Sequence, residues 1–152
     1  DGWMEAEEIP AQTSADYRLR GNCHYTITDI EASGEHLVSA LLHAGAGSYI
    51  EFIINLPTAG TYHLEGTIAM SGTCTVFVDD VKNDAAQADV GYPMKRICTL
   101  EPSKKLTDVS IGEIHFAQPG LKIIRFATEK KQEVKFDRLR LLKQGKLIFQ
   151  KR

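Results

Sequence analysis

The sequence has few cysteines, a single tryptophan and almost no net charge. Its 152 residues include three cysteines, and its formal net charge is −2. Cys23, Cys74 and Cys98 show no C-x-x-C spacing, which argues against a zinc site or a redox motif. One disulfide with a free thiol and three separate thiols are equally compatible with the sequence. Acidic and basic residues are mixed throughout, so the charge gives no reason to expect a nucleic acid or an anionic membrane as partner.

Long apolar runs are also missing. No run approaches the roughly 20 residues needed to cross a bilayer, so we expect no membrane span. The chain opens on Asp1-Gly2-Trp3 without a signal peptide, which predicts an interior or mature fragment or a cytosolic protein. The length favours one domain over 1–152, with a core over 3–142 and a C-terminal extension over 143–152.

The usual catalytic motifs are absent. The five histidines show no H-E-x-x-H spacing, and there is no G-x-S-x-G nucleophile motif. Gly45-Ala46-Gly47 lacks the Lys-Ser/Thr of a phosphate-binding loop. Glu5 and Glu7 could in principle form a pair of hydrolytic carboxylates, but they lie on one short segment without an evident cleft. We therefore expect a protein that is not an enzyme.

The strongest positive pattern is alternation of apolar and polar residues between Gly45 and Gly66. Ile50, Phe52, Ile54 and Leu56 share one parity, which is typical of a half-buried strand. The residues Pro57-Thr58-Ala59-Gly60 are typical of a turn, and the alternation of apolar and polar residues resumes after them. These features predict a β-hairpin.

Similar patterns recur along the chain and predict eight to ten antiparallel strands with no convincing helix. The expected architecture is an all-β sandwich of two sheets, of the jelly-roll kind. A long loop is expected over Ala85 to Lys105. The remaining predicted strands are Trp3–Ile9 (with a short helix as the alternative), His24–Ile30, His36–His43, Cys74–Val78, Val109–Phe116 with a bulge near Gly112, Leu121–Thr128 and Val134–Leu142.

Three carboxylates share the parity of apolar neighbours. Glu5 and Glu7 share the parity of Trp3 and Ile9, and Asp137 shares the parity of Leu139 and Leu141, so all three are predicted to face inward. Buried carboxylates need a partner. A calcium ion is one solution, since it accepts six to eight oxygen ligands. Pairing with arginine or lysine, or exposure at a sheet edge, is the alternative.

Several short motifs occur in an order that resembles the carbohydrate-binding modules of families six and thirty-five. These modules are galactose-binding-like β-jelly rolls that usually accompany secreted glycoside hydrolases, and the resemblance extends from about residue 4 to about residue 142. The motifs are Met4-Glu5-Ala6-Glu7, Gly47-Ser48-Tyr49-Ile50-Glu51-Phe52, Ala59-Gly60-Thr61-Tyr62, Val76-Phe77-Val78-Asp79 and Phe136-Asp137-Arg138-Leu139.

The resemblance implies a structural calcium ion held by Glu5, Glu7 and Asp137. It also implies a sugar site on loops at one end of the sandwich, where aromatic rings stack on sugar faces. Lys135 stands where these modules often have asparagine, and the long loop supplies a tyrosine where a tryptophan is common. The candidate sugar-binding residues are Tyr92, Tyr25, His43, Lys130, Gln132 and Lys135.

The expected function is non-catalytic binding of a polysaccharide or oligosaccharide, as an accessory to a parent catalytic domain of a glycoside hydrolase. The expected location is secreted, periplasmic or at the cell surface. The alternative is a structural β-sandwich interaction domain that has lost sugar binding, which the scarcity of tryptophan and the presence of Lys135 favour.

Overall fold

The computed structural model describes residues 2–13, 24–42, 48–80 and 94–143, with the side chains of residues 24 and 25 excepted. These residues form eleven β-strands and two short 3-10 helices. The helices are η1 (Ala6–Glu8) and η2 (Ser33–Glu35). The strands are β1 (Met4–Glu5), β2 (Ala11–Thr13), β3 (His24–Thr28), β4 (His36–Leu42), β5 (Ser48–Leu56), β6 (Gly60–Met70), β7 (Cys74–Asp80), β8 (Lys95–Leu100), β9 (Ser103–Phe116), β10 (Gly120–Thr128) and β11 (Gln132–Lys143).

The strands form two antiparallel sheets, which confirms the predicted all-β sandwich. The first sheet has the order β3-β4-β11-β6-β9, with β1 also paired to β11. The second sheet has the order β2-β5-β10-β7-β8. No helix in the described part of the chain is long and apolar enough to cross a membrane.

The core lies between the two sheets and is built from the inward-facing parity of each strand. Three rings meet at its centre, Phe52 of β5, Phe126 of β10 and Phe136 of β11, and all three are fully buried. Their centroids lie 4.8 to 6.0 Å apart in edge-on or tilted arrangements, with Phe52 5.1 Å from Phe136 and Phe126 4.8 Å from Phe136. Such contacts add to the free energy gained by burying the rings. The inward parity predicted for Ile50, Phe52, Ile54 and Leu56 is confirmed.

The predicted β-hairpin is wrong, although both of its strands are present. β5 pairs with β2 and β10 in the second sheet, whereas β6 pairs with β11 and β9 in the first. Residues 57–59 therefore carry the chain across the sandwich from one sheet to the other. Alternation and turn residues are local signals, and they are the same whether two strands pair side by side or face each other across a core.

Three further differences concern short or irregular elements. The predicted loop between Ala85 and Lys105 contains β8 and the start of β9, and β2 lies in a segment where no strand was predicted. The bulge expected near Gly112 is confirmed, because Leu64 pairs with Gly112 and the next residue, Glu65, pairs with Ser110. The predicted strand over Trp3–Ile9 is only partly correct, since η1 follows directly after Glu5.

The early helix changes which side chains face the core. Met4 lies opposite the fully buried Leu139 and packs on the core, whereas Trp3 lies over the guanidinium groups of Arg138 and Arg140. The prediction that Glu5 faces inward together with Trp3 is therefore wrong, because directly opposed strand residues share a face and Glu5 lies opposite Arg138.

Candidate functional site

Asp137 occupies a gap between two strands that pair with the same edge of β11. β4 pairs with residues 132–136 of β11, and β1 pairs with residues 138 and 139. On the other side of β11, the register with β6 shifts between Phe136 and Arg138. Asp137 is thus the extra residue of a bulge, and only 3% of it is exposed.

The turn that leads into β4 binds two of the three predicted metal ligands. The backbone N–H of Ser33 donates to both carboxylate oxygens of Asp137, at 3.0 Å and 2.9 Å. The hydroxyl of Ser33 donates to Oε1 of Glu5 at 2.7 Å. Ser33 therefore joins the first strand to the last, a role that no sequence motif indicated.

Two carboxylate oxygens in this region are buried without a hydrogen-bond partner among the described residues, Oε2 of Glu5 and Oε1 of Glu7. Burial, reinforced by the nearby carboxylates of Glu5 and Asp137, raises the pKa of Glu7. Burial likewise raises the pKa of Asp137; the hydrogen bond from Ser33 opposes this change and the charge of Glu5 adds to it. The structure therefore brings Glu5, Glu7 and Asp137 close enough to repel one another.

The donor chemistry of this cluster fits a hard cation such as calcium. All three side chains are carboxylates, and two of their oxygens are buried and unsatisfied. In the described residues, however, no group of three or more His, Cys, Asp or Glu side chains is arranged so that it could hold a metal ion. To bind a shared ion, the side chains of Glu5 and Asp137, which accept hydrogen bonds from Ser33, would have to turn toward it.

The predicted sugar-binding residues Lys130, Gln132 and Lys135 lie near one end of the sandwich. Lys130 is exposed and borders a cavity of about 350 Å³ beside the turn at residues 71–73. Lys135 is half-buried and borders a second cavity of about 250 Å³ together with Lys104. Ser71 lines both cavities, so they lie on either side of one turn.

Gln132 has a different environment from the two lysines, because its side-chain amide is hydrogen-bonded to neighbouring residues of the protein. Its Oε1 accepts from the N–H of Gly72 at 2.9 Å, and its Nε2 donates to the carbonyl of Thr73 at 3.0 Å and to Oγ1 of Thr128 at 2.6 Å. These bonds tie the β6–β7 turn to the β10–β11 turn. Gln132 therefore positions the walls of the cavity.

The remaining predicted sugar contacts lie wholly or partly outside the described residues. The backbone of Tyr25 lies opposite Ser39, which lies opposite Lys135, so these three residues form one row across the first sheet. His43 lies outside the described residues and follows Leu42, which pairs with Gln132.

Tyr92 also lies outside the described residues, and the strands on either side of its segment meet at the other end of the sandwich. β7 ends with Asp80 opposite Lys122, near the start of β10, and β8 begins with Lys95 opposite Val78. Lys130 instead lies two residues after Thr128, the last residue of β10. The flanks of the Tyr92 segment are thus separated from Lys130 by the length of β10.

Comparisons with known proteins identify the fold but no sequence family. No family model matches the chain, and no curated protein matches it in sequence. Among solved structures, the chain is similar to TmCBM61 in complex with β-1,4-galactotriose, with a TM-score of 0.55, 15% identity and coverage of 92% of each chain. It is also similar to the C-terminal CBM6 of LamC, a marine laminarinase from Zobellia galactanivorans, with a TM-score of 0.56, 15% identity, and coverage of 93% of this chain and 98% of that one.

A Paenibacillus xanthan lyase gives a TM-score of 0.66 at 19% identity. The match covers 94% of this chain and only 13% of the lyase, so the chain corresponds in length to a small part of that enzyme. These similarities confirm, at the level of the fold, the predicted resemblance: the chain has the jelly-roll fold of carbohydrate-binding modules.

Proposed function

We propose that the chain is a non-catalytic carbohydrate-binding module that binds a polysaccharide or oligosaccharide. The observation that carries the proposal is the similarity to TmCBM61, because it covers 92% of both chains and that module was solved with a bound galactotriose. In this proposal the module is secreted, periplasmic or at the cell surface, and it is an accessory to a glycoside hydrolase. Its physical role is to raise the local concentration of the hydrolase on the glycan.

The proposed glycan contact is the end of the sandwich that carries the turns at residues 71–73 and 129–131. Lys130 and Lys135 border the two cavities there and can donate hydrogen bonds to sugar oxygens. Gln132 holds the two turns together, and Tyr25 and His43 remain predicted contacts at the same end. Tyr92 remains a predicted contact whose segment is flanked by strand ends at the other end of the sandwich.

We also propose a structural calcium ion held by Glu5, Glu7 and Asp137. The support is the pair of buried, unsatisfied carboxylate oxygens and the mutual repulsion of the three acids. When bound, calcium would neutralise this repulsion and link the first strand to the last. The protein side chains supply oxygen ligands and Ser33 orients two of them.

The alternative is a β-sandwich interaction domain that has lost sugar binding. One observation favours it: none of the described residues that line the two end cavities is aromatic. Stacking on a ring is the usual way to hold the apolar face of a sugar. The rings that we propose for stacking at this end are those of Tyr25 and His43.

The test is isothermal titration of the chain against β-1,4-galactotriose, xylohexaose, mannohexaose and laminarihexaose, with a polysaccharide array in parallel. The proposal predicts saturable binding of at least one glycan. A Lys130→Ala/Lys135→Ala double variant should bind at least about a hundredfold more weakly, since each of the two hydrogen bonds to a charged group contributes roughly 1.5–3 kcal/mol. Lys105→Ala, which removes an exposed lysine of β9 that lines neither cavity, is the matched control. Absence of binding to every glycan would support the interaction-domain alternative.

A further inference from the structure

A third cavity, of about 390 Å³, lies where the N-terminal segment crosses from the first sheet to the second. This volume is within the range of roughly 300–1,000 Å³ typical of small-molecule sites. The crossing is fixed in place because the N–H of Ile53 donates to the carbonyl of Pro10 at 2.8 Å. We call this cavity the N-terminal cleft; Trp3, Glu8, Pro10, Ile53 and Asn55 are among its lining residues.

The floor of the N-terminal cleft is apolar and continuous with the core. It includes Ile9 and Ile54, which are 9% and 6% exposed, and Met4, which packs on the core. The rim carries two exposed polar side chains, Glu8 and Asn55. An apolar surface with a few polar groups at its edge is the usual composition of a ligand site.

Trp3, the single tryptophan of the chain, lines the cleft and is held by two arginines. The guanidinium carbons of Arg138 and Arg140 lie 4.1 Å and 4.3 Å from the centre of the indole ring. The arginines are themselves fixed, since Nε of Arg140 donates to Glu65 at 2.6 Å and Nε of Arg138 donates to Thr67 at 3.2 Å. The indole is thus positioned before any ligand arrives, which reduces the entropy lost on binding.

These groups match the chemistry of an uncharged sugar. The C–H face of a pyranose can pack against the indole and the apolar floor, while its hydroxyl groups donate to the carboxylate of Glu8 and exchange hydrogen bonds with the amide of Asn55. The carboxylate of Glu8 at the rim makes the cleft unfavourable for a uronate or a sulfated sugar. In contrast, lysines border the cavities at the end of the sandwich.

We propose that the N-terminal cleft is a second saccharide-binding site, selective for uncharged sugar units and separate from the lysine-bordered end. This inference rests on the proposed glycan-binding function and adds a location and a ligand class to it. Two sites on one domain would let a single polysaccharide chain, or two neighbouring chains, be held with higher apparent affinity than either site provides.

The experiment uses the emission of Trp3, which reports on this cleft because no other tryptophan is present. The chain is titrated with the four uncharged oligosaccharides named above, and the emission maximum and quenching by acrylamide are recorded beside the calorimetric titration. The inference predicts a saturable shift in emission and protection from acrylamide for at least one ligand. Trigalacturonate should produce neither change.

Two rim variants test the site without removing the tryptophan. Glu8→Gln and Asn55→Ala should each weaken the fluorescence-detected affinity, by about tenfold for Glu8→Gln because its hydrogen bond involves a charged group. Glu113→Gln, an exposed carboxylate on β9, is the matched control and should bind like the unaltered chain.

The outcomes separate the inference from the proposed function. If calorimetry shows that a glycan binds while the emission and quenching of Trp3 stay unchanged at saturation, glycan binding stands and the second site is refuted. The second site is also refuted if Glu8→Gln and Asn55→Ala leave the fluorescence titration unaltered. If none of the glycans binds by either method, both the function and the second site are rejected.

Discussion

Met4 lies directly opposite Leu139, so the first described strand pairs with the last. The pair is short, since β1 contains only two residues. Beside it, Ser33 donates to both Glu5 and Asp137 and joins the two strands a second time. The attachment of the N-terminal segment therefore depends on a small number of contacts around a cluster of acids.

The first prediction concerns calcium. If Glu5, Glu7 and Asp137 bind the ion, calcium at about 100 times its dissociation constant should increase the free energy of unfolding by about 2.7 kcal/mol. EDTA should reverse the increase, and Asp137→Asn should abolish the response. Differential scanning calorimetry measures both effects, with Glu113→Gln as the control. A melting temperature that is indifferent to calcium and EDTA would contradict the assignment.

The second prediction concerns Glu51, which is completely buried and bound by Arg125 and Gln12. The guanidinium Nη2 of Arg125 lies 2.8 Å from Oε2 of Glu51 and its central carbon lies 3.7 Å from the ring centre of Tyr49. Removing one partner of a buried pair leaves the other charge uncompensated. Glu51→Ala should therefore cost about 3–5 kcal/mol of stability in urea unfolding. Glu113→Ala, on an exposed strand position, should change stability by less than about 0.5 kcal/mol.

The third prediction concerns Lys122, whose side chain is 2% exposed and pairs with the half-exposed Asp80. Its ammonium group also lies 5.3 Å from the ring centre of Phe116. Asp80→Ala should destabilise the fold by about 1–3 kcal/mol, which is the cost of leaving a buried polar group without its partner. The cost is not larger because solvent near Asp80 weakens the ion pair. Lys122→Met should be nearly neutral or stabilising, since an apolar side chain of similar shape avoids burying a charge.

A double-mutant cycle over Lys122 and Asp80 checks this asymmetry. The Lys122→Met/Asp80→Ala variant should be more stable than Asp80→Ala alone. If Lys122→Met and Asp80→Ala destabilised the fold equally, Lys122 would stabilise the fold through its charge and not through the burial of its aliphatic stem.

The fourth prediction concerns the thiols. Cys74 and Cys98 are both free, so they do not form a disulfide with each other. Burial raises the pKa of Cys74 to about 12, and it also raises the pKa of the half-buried Cys98. Since only the thiolate reacts, less than about one in a thousand Cys74 thiols is ionised at pH 8.5.

Alkylation kinetics test this difference in the Cys23→Ser background. At pH 8.5 in native conditions, iodoacetamide should modify Cys98 well before Cys74, and peptide mapping should locate the label. In 6 M guanidinium both thiols should react at similar rates. Modification of Cys74 as fast as Cys98 in the native protein would contradict its burial.

Local patterns predicted strands well because a strand's buried face depends on its own period. Ile50, Phe52, Ile54 and Leu56 are buried as their alternation indicated. The same residues contained no information about whether β5 pairs with β6 or faces it across the core, and the predicted hairpin was wrong for that reason. β8 was missed because it is an edge strand whose residues are mostly exposed or half-buried and do not alternate.

The candidate sites show the same limit. Alternation assigned Asp137 to the inward face without revealing the bulge that isolates it, and it could not indicate Ser33, which reaches Asp137 from 104 residues away in sequence. Gln132 was selected as a sugar contact from its position in a turn, whereas its amide binds the neighbouring turn. The N-terminal cleft is formed by two segments separated by more than forty residues, and no local motif marks it.

Co-sedimentation with insoluble polysaccharides, with reducing ends assayed in the same tubes, tests most directly that this chain binds glycans without cleaving them. The account predicts that the chain is depleted from solution by at least one among mannan, xylan, galactan and laminarin, and that no reducing ends are released. Complete recovery of the chain in every supernatant, or release of reducing ends in proportion to added protein, would contradict it.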